Sequence, residues 1–171
     1  MFKSIQMLKK SIVILGVFTL LTQISYSQVS KDSELYLQLQ KMDSLVFQEG
    51  FNKCNLISLE ETIAEGFEFY HDVGGSQGKI LFMVSMKNNI CSSPERKPIR
   101  RLVKGSLEVF PLYNQGEIYG AIQNGDHEFW IQEPNKDLYQ TGAAKFSTTW
   151  LLMDGNWVMK NVLSFDHKAA H

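Results

Sequence analysis

The sequence has 171 residues, 17 Lys and Arg against 18 Asp and Glu, 44% hydrophobic and 12% aromatic residues, and two cysteines. That length suits one domain, and the composition excludes a disordered tail, a collagen-like or low-complexity chain and a disulfide-dense scaffold. A formal charge of −1 gives no broad attraction for phosphates, so no nucleic-acid partner is expected.

Lys3, Lys9 and Lys10 precede an apolar run of ten residues, Ile12 to Leu21, and Ser25 and Ser27 stand at −3 and −1 before Gln28. A basic start, a short apolar stretch and a small-residue exit form the pattern of a secretory signal peptide over residues 1–27. The run is half the roughly 20 residues needed to span a bilayer. No stable membrane anchor is expected once the chain is cut between Ser27 and Gln28; an uncleaved N-terminal anchor is the alternative. Cleavage removes three lysines and no acid, taking the formal charge from −1 to −4 on 144 remaining residues. The expected product is an acidic periplasmic or secreted protein. A chain of that size buries about 68–70% of its unfolded surface without cross-links. Cys54 and Cys91 can form one bridge across 37 residues, worth ~3–4 kcal/mol, or remain two small buried hydrophobes.

From about Asp32 to Asn52, Leu35, Leu39, Met42 and Val46 recur at spacings of four, three and four, widened by Leu45. That is the apolar stripe of an amphipathic helix. Ser58-Leu59-Glu60-Glu61 reads as a capping box opening a second, short helix that ends near Gly66. Phe67 to Asp72 reads as an aromatic-rich strand. Gly74-Gly75 breaks it, and Ser76 is expected to cap a third helix to about Asn89, with Ile80, Met83, Val84 and Lys87 on one side.

Beyond Pro98 the period changes. Ile99–Lys104, Ser106–Leu112, Ile118–Ile131, Ala143–Met153 and Trp157–His167 read as strands, separated by Gly105, Asn114-Gln115-Gly116, Pro134-Asn135-Lys136-Asp137 and Asp154-Gly155-Asn156. The Asp-Gly pair is a strong hairpin signal. Helices first and a meander afterwards predict an α+β domain over residues 28–167, with residues 168–171 as a tail. In it a curved antiparallel sheet wraps around three N-terminal helices.

That order, with several local patterns, resembles the nuclear transport factor 2-like superfamily and its SnoaL-like group. The patterns are Phe69-Tyr70-His71-Asp72 before Gly74-Gly75, Gly105-Ser106-Leu107-Glu108-Val109, and Tyr119-Gly120-Ala121-Ile122-Gln123. Ala144-Lys145-Phe146 leading to Trp150, and Trp157 leading to Ser164-Phe165-Asp166-His167, complete them. The resemblance implies a cone-shaped, cystatin-like fold with an apolar pocket. It implies no single activity, because that cone hosts isomerases, dehydratases, epoxide hydrolases, cyclases and non-catalytic binding domains. In the family's enzymes an Asp or His inside the cone shuttles a proton.

Strand alternation sorts the candidates. His71 shares a face with Phe67 and Phe69, while Tyr70 shares the other with Asp72. His127 lies with Phe129, Gln123 and Tyr119, and His167 with Phe165, Leu163 and Trp157. Each histidine reads either as a hydrogen-bonded core residue or as a general acid or base. His71 and Asp72 are the candidates for proton transfer. Tyr70, His127, Lys145, Phe146, Trp150 and His167 are the candidates for lining the pocket. Lys145 can instead snorkel to the surface, and the large aromatics can be plain core.

Arg96-Lys97-Pro98-Ile99-Arg100-Arg101-Leu102-Val103-Lys104 holds five cations in nine residues, the pattern of a charged edge strand or of a contact to an acidic partner. Gly74-Gly75-Ser76-Gln77-Gly78 lacks the lysine of a phosphate loop and reads as a turn and helix cap. No paired metal-ligand spacing, cofactor fingerprint or Gly-x-Ser-x-Gly elbow is present, so neither a metal nor a cofactor is expected. The leading expectation is an exported binding domain for a small apolar or amphipathic molecule. The alternatives are a cofactor-independent isomerase, dehydratase or hydrolase in the same pocket, and an interaction domain forming a homodimer through its sheet.

Overall fold

Ser33 accepts a hydrogen bond from the Tyr36 amide and so opens α1, Glu34–Ser44. In the computed structural model, which describes residues 28–170, this helix continues as a wider π-helical stretch, Leu45–Asn52. Residues 1–27, expected to form a signal peptide, lie outside the described residues, as does His171. Leu39 and Val46 are buried as the stripe predicts, and Tyr36 and Asp43 join them there.

Three local expectations change. The cap of α2, Leu56–Glu61, is Asn55, whose side chain accepts from the Ser58 amide. Cys54 sits at φ +59 and turns the chain into that cap, so Ser58 falls inside the helix and not at its start. The helix ends at Thr62, whose hydroxyl donates back to the Leu59 carbonyl, and β1 begins at once as Ile63–His71. Ser76 caps nothing. It lies in a short strand, β2, Gly75–Gly78, which pairs antiparallel with the end of β1. Its pairing delays α3 to Lys79–Ser85, with a second π-helical stretch over Met86–Ile90. The third change concerns the face of α3. Phe82 turns inward against Phe67 and Phe69, with ring centroids 5.1 and 5.4 Å apart, while Ile80 and Val84 are left exposed.

The later strands fall close to their expected places: β3 Lys97–Leu102, β4 Glu108–Asn114, β5 Glu117–Gln132, β6 Tyr139–Met153 and β7 Asn156–Ala169. Gln115-Gly116 and Asp154-Gly155 both have positive φ at the two turn positions, the geometry that matches the twist of a two-residue hairpin. The strands form one sheet in the order β2-β1-β7-β6-β5-β3, and β4 pairs with the first half of β5. Pairing is antiparallel except between β1 and β7, which run parallel. This curved, unclosed sheet folds over the helices as a cystatin-like cone.

The core lies where α1 meets the inner sheet face, around Leu39, Phe67, Leu107, Val109, Phe146 and Trp150, each 1% exposed or less. Full burial of such side chains stabilises by about 1.5–3 kcal/mol each. One polar tie crosses this layer. Gln123 accepts from Trp150 Nε1 at 3.0 Å and donates to the Leu39 carbonyl at 2.9 Å, joining two strands to the helix.

Candidate functional site

Between the two π-helical stretches and the inner sheet face lies a cavity of about 460 Å³. Val46, Phe47, Phe82, Met86, Met159 and Val162 are among the apolar residues of its wall, whereas His71, His127, Ser164 and His167 gather among its polar lining. Cys54 and Cys91 are joined in a disulfide that ties the ends of the two stretches together.

Alternation along β1 brings His71 inward after Phe67 and Phe69, and alternation along β5 does the same for His127. His167 arrives differently. Asp166 has φ +60, and Asp166 and His167 together face the single residue Ala144, so β7 carries a bulge. The extra residue reverses the alternation. Phe165 and Leu163 therefore stay outside while His167 turns in beside Ser164, contrary to the shared face expected from a regular strand.

The parallel register of β1 and β7 places His71 opposite Ser164, and the Asp72 amide donates to the Ser164 carbonyl at 3.1 Å. Asp72, at the strand end, swings its carboxylate onto His167. Oδ1 lies 2.5 Å from His167 Nδ1, and Oδ2 accepts the His167 amide at 3.2 Å. Partial burial pushes the carboxyl up, yet the amide, ring and charge of His167 outweigh it and hold Asp72 below the usual carboxylate range. On its other side His167 Nε2 is 3.3 Å from Ser164 Oγ.

His71 stacks on His167 with ring centroids 4.1 Å apart. Its Nδ1 accepts from the amides of Val73, at 3.2 Å, and Gly74, at 3.0 Å, so neutral His71 carries its proton on Nε2. Burial, reinforced by His167, lowers its pKa from the ordinary value. His127 is 3% exposed; its Nδ1 faces the Arg100 Nε donor at 3.4 Å, which again leaves the proton on Nε2. That Nε2 is buried with no partner among the described residues. Burial first, then the Arg100 charge, pushes the His127 pKa down to about 3. Arg100 itself forms a two-pronged ion pair with Asp43 at 2.8 and 2.9 Å and lies 3.8 Å from the centre of the Phe47 ring.

The other sequence candidates are placed elsewhere. Tyr70 is on the outer sheet face, donating to Glu68 at 2.8 Å, and Lys145 is there too, 3.9 Å from Asp166. Neither lines the cavity, because the pleat directs both away from it. Phe146 and Trp150 are buried in the core beneath it, Phe146 stacked at 5.2 Å on His127. Sequence reasoning passed over Ser164, Arg100 and Asp43. The signal for the ion pair was present: Asp43 lies four residues after Leu39 on the buried stripe, where a carboxylate needs a cation. Arg100, read as part of a charged edge, supplies it.

His71, Asp72 and His167 bring possible metal-ligand atoms within 4.8 Å of one another. Their geometry suits a metal poorly. The two rings are inclined by only 16°, so their in-plane lone pairs run side by side and do not converge. Both Nδ1 atoms already have hydrogen-bond partners.

No protein-family profile matches the sequence, and no curated protein is similar enough to count as a relative. Solved structures share the fold at low identity. A protein of unknown function with a cystatin-like fold from Nostoc punctiforme superposes with a TM-score of 0.56 at 12% identity, over 77% of this chain and 91% of that one. An NTF2-like protein from Cytophaga hutchinsonii gives 0.57 at 13% identity, over 81% and 99%. A Catenulispora acidiphila protein in complex with S-DNPA gives 0.59 at 9% identity, over 76% and 92%.

Proposed function

Starting from the nuclear transport factor 2-like, cystatin-like cone shared with these proteins, we propose an exported binding protein. Its ligand is a small, largely apolar molecule carrying a hydrogen-bond acceptor oxygen. One observation carries the reading: His127, whose buried Nε2 has no partner among the described residues, lines a largely apolar cavity. An unpaired buried donor costs about 1–3 kcal/mol, which an acceptor on the ligand removes. The volume falls in the range of small-molecule sites. The neighbour in complex with S-DNPA supports a small ligand in this kind of cone. The basic and apolar start of the chain, with the disulfide, supports export to an oxidising compartment.

The test compares 2-acetylnaphthalene, apolar with one carbonyl oxygen, against 2-ethylnaphthalene of similar shape. The ketone is expected to bind roughly tenfold tighter, equal to ~1.4 kcal/mol, and His127→Phe is expected to erase that preference. Equal binding of ketone and hydrocarbon by the unmodified protein refutes the reading. The 2.5 Å contact between Asp72 and His167 favours a second reading, a cofactor-independent enzyme that moves a proton in the same cavity.

A further inference from the structure

A buried strand serine ordinarily satisfies its hydroxyl on a nearby carbonyl. Ser164 is 5% exposed, lines the cavity, and has His167 Nε2 as the partner of its hydroxyl. His167 in turn is anchored twice by Asp72, through its ring and through its amide. With Nδ1–H given to the carboxylate, Nε2 is left as the acceptor facing Ser164. We infer that Ser164, His167 and Asp72 form a nucleophile–base–anchor relay that cleaves a carboxylic ester held in the cavity. The inference rests on the cavity being a small-molecule site.

The relay has the connectivity that activates a serine: hydroxyl to base, base to a third group that fixes its tautomer and orientation. Two further histidines, His71 and His127, line the same wall. His71 and His127 both carry the proton on Nε2, because backbone amides occupy Nδ1 of the first and Arg100 faces Nδ1 of the second. Such donors suit the negative charge that grows on a carbonyl oxygen under attack. Phe129, stacked on His167 with centroids 6.0 Å apart, is the apolar cover on the base.

The reaction balances without a cofactor. Ser164 Oγ bonds to the carbonyl carbon and its proton passes to His167 Nε2, while the carbonyl electron pair moves onto oxygen. Collapse breaks the bond to the alcohol oxygen, which leaves with the proton from Nε2, and an acyl-serine remains. Water then gives a proton to Nε2 as its oxygen bonds to the acyl carbon. Release of Ser164, reprotonated by Nε2, frees the carboxylic acid. The substrate class follows from the wall. Arg100 is already paired with Asp43 and Lys145 stands on the outer face, so the acyl group is expected to be uncharged and apolar.

The experiment uses the chain from Gln28 to His171, p-nitrophenyl hexanoate, and an alkyl fluorophosphonate followed by intact-protein and peptide mass spectrometry. One phosphonyl adduct is expected on Ser164, with ester hydrolysis falling at least 100-fold in Ser164→Ala. Asp72 is a positioning residue, so Asp72→Asn is expected to lower turnover at least tenfold and to change its pH profile, with the KM little altered. Unchanged hydrolysis in Ser164→Ala, or an adduct confined to other residues, overturns the relay. The 2-acetylnaphthalene titration of Ser164→Ala separates the two readings. Retained ketone binding with no ester cleavage by the unmodified protein sinks the relay alone, whereas loss of the ketone preference in the unmodified protein removes its basis as well.

Discussion

His127 makes the unfolding free energy depend on acid in a way that one substitution can isolate. In the folded chain its pKa is pushed down to about 3, by burial first and then by Arg100. In the unfolded chain it returns to about 6.5. Above that value both states are neutral and His127 contributes no slope. As the pH falls below it, the unfolded chain takes up a proton that the folded chain refuses, so stability declines by about 1.36 kcal/mol per pH unit. Between pH 8 and 4.5 the loss from this one residue is roughly 2.5–3 kcal/mol. His127→Phe keeps an aromatic ring between Phe129 and Phe146, whose centroids lie 4.7 and 5.2 Å from the imidazole, and removes the titrating group. Urea unfolding of both proteins at half-unit intervals from pH 8 to 4.5 reads the difference directly. The difference in unfolding free energy is expected to be constant above pH 7 and then to move in favour of the variant as the pH falls. Parallel curves throughout refute the argument, because they mean that His127 exchanges protons alike in both states.

Three further outcomes are expected. Arg100→Met, which strands the Asp43 carboxylate inside, destabilises by about 3–5 kcal/mol, and adding Asp43→Leu recovers most of the loss; chemical denaturation measures both. Gln123→Leu leaves Trp150 Nε1 and the Leu39 carbonyl without the partner they share, lowering the unfolding free energy by roughly 2–4 kcal/mol. The paired change Cys54→Ser with Cys91→Ser lowers stability by ~3–4 kcal/mol, seen as a lower Tm in calorimetry under non-reducing conditions.

The meander was readable because its punctuation is chemical. Gln115-Gly116 and Asp154-Gly155 sit where two consecutive residues need positive φ, and the strands between such turns carry an aromatic, β-branched alternation. Long-range pairing leaves no such mark. Ser76 looks like a helix cap until β2 pairs with β1, and the inward face of α3 follows from that pairing rather than from its own periodicity. In the site, His71 and His127 were legible as inward positions on regular strands. His167 was misplaced because the bulge at Asp166 shifts the alternation by one, and Asp in a left-handed conformation has no signature that separates it from Asp in a strand. Asp72 and His71, adjacent and apparently opposed, meet at His167 only because β1 ends there and β7 runs beside it in parallel.

That parallel seam also governs when the site comes into being. Asp72 and His167 are 95 residues apart, and Ser164 rides on the same final strand as His167. Closing so long a loop is a slow, non-local step, and partners of this kind favour late docking in folding. A chain that has built its helices and central hairpins but not docked β7 owns the Asp72 carboxylate and the His71 ring, with neither the Ser164 hydroxyl nor the His167 imidazole in place. Ser164, His167 and Asp72 thus come together only when the last strand has been laid against the first.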